Sequence, residues 1–163
     1  DRNLRPTDFE IGDDGALYVS DWQNALIGHM QHNVRDPNRN KTHGRIYRVT
    51  YEGRELSKHT NVDGQSIGDL LDLLKHPING IRQRARVELS EHPSGKVIEA
   101  TDKWIAQLDP KAKEDAHHFL EALWIYQRND TKNEALLQQV LNSPVEHARI
   151  SAKTVKQFWD NNL

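Results

Sequence analysis

The chain has 163 residues, a formal charge of −2 and 36% hydrophobic residues, with a mean hydropathy of −0.85. Its basic and acidic residues are interspersed, which leaves no electrostatic footprint for nucleic acid or an anionic membrane, and no apolar run approaches the roughly 18 residues that span a bilayer. With no cysteine it carries no disulfide, no thiolate zinc site and no CxxCH haem attachment.

In chain order, Phe9-Glu10-Ile11 and Ala16-Leu17-Tyr18-Val19 flank Asp13-Asp14-Gly15, which predicts two strands joined by a tight hairpin. The opening at Asp1-Arg2-Asn3-Leu4-Arg5-Pro6, with no signal peptide before it, reads as the interior of a longer protein. A third strand is predicted over Gly44–Tyr51, where apolar and polar residues alternate. The connection between the second and third strands, residues 21–43, is about twenty residues, far beyond the usual two to five of a hairpin. It holds Trp22, Leu26, Ile27 and Met30 and is no Ser/Gly tract, so it is expected to be ordered and functional. Tyr51–Leu56 reads either as the start of a fourth strand or as an exit turn. A polar linker comes next, around His59–Ser66.

From Ser66 the period becomes helical. Ser66 is a candidate N-cap for a helix bearing Ile67, Leu70, Leu71 and Leu74, stopped by Pro77. Apolar stripes then predict helices around Ile81–Leu89, Val97–Leu108, Ala116–Tyr126, Leu136–Leu141 and Ala148–Trp159. Pro77, Pro110 and Pro144 recur at intervals of 33 and 34 residues, and Arg82 and Ala85 fall on Arg149 and Ala152 after the first and last of them. Such pairs resemble HEAT repeats, shorter than the usual unit of about 40 residues. The expected fold is therefore α+β: a small antiparallel β-sheet over residues 1–60, then a right-handed α-solenoid of about three HEAT-like helix pairs over 61–163.

Candidate chemistry concentrates in the long loop. His29, His32 and His43 with Asp21 and Asp36 are metal-ligand types, but the spacing H-x2-H-x3-D-x6-H matches no established metal signature. Three readings stand: these side chains pin the loop to its own backbone, contact a substrate or cofactor, or hold a divalent metal. In the helical half, only one of His117-His118 can face the core groove, and they read as exposed or satisfied helix histidines and not as ligands. Arg82, Arg84, Arg86 and Arg149 are expected to pair within the chain with Glu88, Glu91 and Glu146, and Trp104, Trp124 and Trp159 to lie in the core. No nucleophile triad, phosphate loop or dinucleotide fingerprint is present.

Arg5-Pro6-Thr7-Asp8-Phe9-Glu10-Ile11-Gly12, Gly15–Val19, Asp21-Trp22-Gln23-Asn24, Ile27-Gly28-His29, Arg35-Asp36, Arg39 and His43–Thr50 together carry a family likeness. They resemble the last propeller blade of the membrane-bound dehydrogenase family, large exported proteins with a PVC-type haem-binding domain. The resemblance implies a single blade of a β-propeller similar to glucose and sorbosone dehydrogenases, followed by HEAT-like repeats, in a periplasmic or cell-envelope protein. It implies sugar or alcohol oxidation by the parent, with His29 and His43 as catalytic bases. Asp21, Asn24, Asp36, Arg39 and Arg45 would then hold a sugar-like substrate or cofactor. This chain is expected to carry no cofactor and to turn over nothing alone, while the parent would take pyrroloquinoline quinone, calcium and haem c. The rival expectation is a non-catalytic scaffold that docks a protein partner on its helical repeats. Convergence of His29 and His43 with Asp21 or Asp36 on an open face favours the first; attachment of each to the loop itself favours the second.

Overall fold

The computed structural model describes residues 3–25 and 36–161, and the chain divides into two compact units, residues 1–60 and 61–163. The first unit is a three-stranded antiparallel sheet of β1 (Pro6–Ile11), β2 (Leu17–Asp21) and β3 (Arg45–Val49), in the order β1-β2-β3. Gly15 turns the first hairpin at φ +76°, a left-handed conformation that a side chain would strain. Asp14 fastens that hairpin: its Oδ1 accepts from the Ala16 amide at 2.9 Å and its Oδ2 from the Tyr18 hydroxyl at 3.0 Å and Arg48 Nε at 2.9 Å.

Register decides which side chains share a face. Phe9, Val19 and Tyr47 stand opposite one another, as do Ile11, Leu17 and Val49, so two cross-strand rows make an apolar patch on one face, and the Asp21–Arg45 row continues that face as an ion pair. The pairing slips between Pro6 and Asp8, a bulge in β1. Tyr51–Leu56 forms an exit turn and no fourth strand. Arg54 N donates to Tyr51 O, the Ser57 amide to Asp14 O and the Arg54 guanidinium to Gly15 O, which lays this segment over the first hairpin. Ala16 is the only hydrophobic residue fully buried among those described in this unit.

The second unit holds six helices among the described residues: α1 (Ile67–Leu73), α2 (Asn79–Leu89), α3 (Ser94–Ile105), α4 (Ala116–Arg128), α5 (Glu134–Leu141) and α6 (Glu146–Asn161). Ser66 caps α1 by accepting from the Asp69 amide, and Asn133 caps α5 through Leu136. Neighbours pack as α1 on α2, α3 on α4 and α5 on α6, with further contacts of α1 to α3 and of α4 to α5 and α6. One continuous core results, built on Leu70, Leu74, Ile81, Val97, Leu120, Leu123, Leu137 and Trp159. Trp104 and Trp159 are buried in it, while Trp124 stays half-buried.

The three prolines mark one recurring turn. In each, the side chain just before the proline accepts the amide two residues on: His76 Nδ1 from Ile78 at 3.1 Å, Asp109 Oδ1 from Lys111 at 2.9 Å, Ser143 Oγ from Val145 at 3.2 Å. Five residues after the proline a charged side chain returns to that same residue. Arg82 and Arg149 donate to the carbonyls of His76 and Ser143, both at 2.7 Å. Asp115 instead accepts the Asp109 amide at 2.8 Å. The middle turn thus keeps the geometry and inverts the charge.

Candidate functional site

The long loop is anchored at its base by Asp21, the last residue of β2, which the register sets opposite Pro6 and Arg45. The side chain is buried. Oδ1 accepts the amides of Arg5 at 2.6 Å and Gln23 at 2.9 Å; Oδ2 receives Arg45 Nε at 2.8 Å and lies 2.7 Å from Nη2. Burial pushes its carboxyl up, but the two backbone amides and the Arg45 guanidinium outweigh burial and hold it below the ordinary aspartate value. A carboxylate so engaged accepts a proton only reluctantly, so its chemistry here is positional: it locks Gln23 into a left-handed φ of +49° and fixes where the loop departs.

Asn24 is also buried, and its Nδ2 donates to the Asn40 carbonyl at 3.1 Å, stitching the outgoing limb of the loop to the returning one. Asn40 in turn organises the approach to β3. Its Oδ1 accepts the amides of Thr42 and His43, each at 3.1 Å, and lies 3.1 Å from His43 Nδ1. Thr42 Oγ1 is 2.9 Å from the same ring nitrogen. Asp36 makes a local turn, with Oδ1 accepting from the Asn38 amide at 2.8 Å and its carbonyl from Arg39. The Arg39 guanidinium lies 4.8 Å from the centre of the Trp22 ring.

Of the residues expected in the site, Arg39 and His43 meet, with Trp22, Asn40 and Lys41, around an open pocket of about 400 Å³. Asp21 and Arg45 form a separate pair, Asn24 stands behind Asn40, and Asp36 turns the chain ahead of Arg39. His29 and His32 lie outside the described residues. Among the described residues no three metal-ligating side chains converge. Asn40 and Lys41 were not singled out from the sequence; the one signal for Asn40 is an amide residue two before Thr42, the spacing of an Asx turn.

The helical unit holds a second arrangement. Glu121 of α4 is fully buried. Arg86 Nη1 lies 2.8 and 2.6 Å from its two oxygens, Arg82 Nε approaches at 3.3 Å and His117 Nε2 at 3.0 Å. Burial raises its carboxyl, and the His117 and Arg86 hydrogen bonds and the Arg86 charge override that and hold it below the ordinary glutamate value. Arg82 and Arg86 therefore pair across to α4, while Glu88 receives the Gly64 amide. Arg86 sits 5.4 Å from the Trp124 ring centre and His117 meets the same indole edge-on at 6.2 Å. Trp124, with Gln83, Arg86 and Val87 of α2, Gln127, Arg128, Asp130 and Phe158 of α6, lines an open groove of about 550 Å³.

Residues 1–53 match a domain of unknown function, DUF7133. No curated protein and no solved structure matches the chain. The match falls within the β unit, so the helices stand on their own geometry.

Proposed function

We propose that this chain acts as a non-catalytic protein-binding scaffold, with the α2–α4–α6 groove as its docking surface. The observation that carries this reading is Trp124 held between Arg86 and His117, both fixed by the buried Glu121, in a groove flanked by the exposed side chains Val87 and Phe158. A rigid aromatic in a preorganised setting is the usual core of a binding hot spot. The recurring proline turns support reading the six helices as three HEAT-like pairs in a right-handed solenoid, whose second helices share the binding face. Site-specific photocrosslinkers at Gln83 and Gln127, with others at Lys111 and Gln138 as controls, test it. Crosslinks confined to the first pair, to a partner whose purified form loses affinity at least about tenfold on Phe158→Glu, are expected. Equal labelling at all four positions overturns it.

The pocket on the loop favours a second reading, in which the β unit is one blade of an exported dehydrogenase-like propeller. There, Asp21, Asn24, Asp36, Arg39 and Arg45 would shape a site for a sugar-like alcohol, with pyrroloquinoline quinone, calcium and haem c supplied elsewhere in the parent. His43 has its Nδ1 engaged within the loop, so Nε2 is the atom that would take the hydroxyl proton. Dye reduction by the full parent protein, lost in His43→Ala and retained in Phe158→Glu, is the expected result for this reading. Unchanged turnover in His43→Ala removes the base from His43.

A further inference from the structure

We propose that the pocket of Trp22, Arg39, Asn40, Lys41 and His43 binds a small ligand that presents an oxyanion, carboxylate or phosphate, on a flat apolar body. This is independent of the scaffold reading, which concerns the helical unit. It departs from a sugar-like ligand in requiring negative charge.

Among the described residues, the lining contains two permanent cations, Arg39 and Lys41, one imidazole, one amide and one indole, and no acidic side chain. The acids nearest in sequence are Asp21, whose carboxylate is taken by the Arg5 and Gln23 amides and by Arg45, and Asp36, whose Oδ1 accepts the Asn38 amide; neither is in the lining. Like charges are gathered here without a counter-charge in the wall, an arrangement that a bound anion relieves. The walls are also built. Asn24, 1% exposed, holds the Asn40 carbonyl, and Asn40 Oδ1 holds the amides of Thr42 and His43, so the backbone bearing the cations is fixed before any ligand arrives.

His43 is held in the same way. Its Nδ1 faces Asn40 Oδ1, an atom that only accepts. Thr42 Oγ1 lies 2.9 Å from the same nitrogen, so two loop side chains hold the ring in place in the lining. Arg39 lies along Trp22, which is 43% exposed, leaving aromatic surface beside a guanidinium that can grip a planar carboxylate or a phosphate with two parallel hydrogen bonds. A volume of about 400 Å³ lies within the range of small-molecule sites.

The test titrates the full chain with benzoate, phenyl phosphate and the neutral benzyl alcohol, following the Trp22 indole and Asn40–His43 amide resonances by NMR. Benzoate, phenyl phosphate or both should shift these signals, weakening as sodium chloride is raised. Lys41→Gln, a change at an exposed side chain, should reduce affinity several-fold, and Arg39→Ala about tenfold. Saturation by benzoate alone identifies a carboxylate ligand, and by phenyl phosphate alone a phosphate. Binding of benzyl alcohol as tight as that of the anions overturns the proposal. So does a lack of response to all three, or anion binding unchanged in both variants while the amide spectrum shows each folded.

Discussion

Glu121 shows how one side chain can organise a surface it never reaches. Its carboxylate is fully buried, yet Arg86 and His117 carry its influence outward to Trp124. Replacing it with Gln keeps the shape and removes the charge that pairs with the half-buried Arg86 and with His117, so Glu121→Gln is expected to lower stability by roughly 2 kcal/mol in urea unfolding. Because the folded carboxyl lies below its ordinary value of 4.5, its contribution is complete above that value and is lost as pH falls through the folded-state value beneath it. Acid unfolding of the wild type should therefore be steeper than that of Glu121→Gln. Tyr126 has the opposite sign. Burial, and then its hydrogen bond to Asp102, push the phenol from 10 up to about 12. Stability from this group is present below pH 10 and declines as pH rises toward the folded value. Absorbance titration should show a late-ionising tyrosine that Tyr126→Phe removes.

Among the elements, the proline turns are the features that the sequence made most legible. A proline ends a helix and fixes the next start, so their spacing could be read directly, and Ser66 and the apolar stripes were equally plain. The side chain that returns to each turn could not be read in full. Arg82 and Arg149 were visible as equivalents, but Asp115 at the matching position carries the wrong charge and serves the amide instead of the carbonyl. Arg149→Ala is expected to cost about 1.5 kcal/mol by thermal unfolding. Asp115→Arg should be milder than Asp115→Ala, since an arginine there can take up the Asp109 carbonyl as its counterparts do; equal losses would show that the turns are not interchangeable. The arginine ridge was assigned partners by proximity along the chain, whereas Glu121 lies 35 residues from Arg86. Pairings at that separation depend on how α2 and α4 pack, which periodicity does not encode.

Across the whole chain, the two units differ in what holds them. Helices α1–α6 share a continuous apolar core; the sheet leans on Asp21, Asp14 and Asn24, polar ties that few sequence patterns announce. The site residues of the loop were legible as residue types, and two of them do meet at one pocket, but the division of labour was not. Asp21 and Arg45 are brought together by strand register, a two-residue periodicity that one slip would reverse. Residues 61–163 alone are expected to keep the helical circular dichroism and a cooperative melt, while residues 1–60 alone should show no cooperative transition, given their near-absence of buried apolar side chains. A sharp melt from residues 1–60 would show that the polar ties suffice.

The sheet is bordered unequally. Along β1, Pro6, the bulge before Asp8 and the acids Asp8 and Glu10 obstruct any newcomer. The β3 border, Arg45-Ile46-Tyr47-Arg48-Val49, has neither proline nor bulge, and Ile46 and Val49 stand largely exposed. Any extension of this sheet by another strand would therefore be directional, beside β3 and not beside β1, and Ile46→Lys or a proline on that border is the change expected to block it.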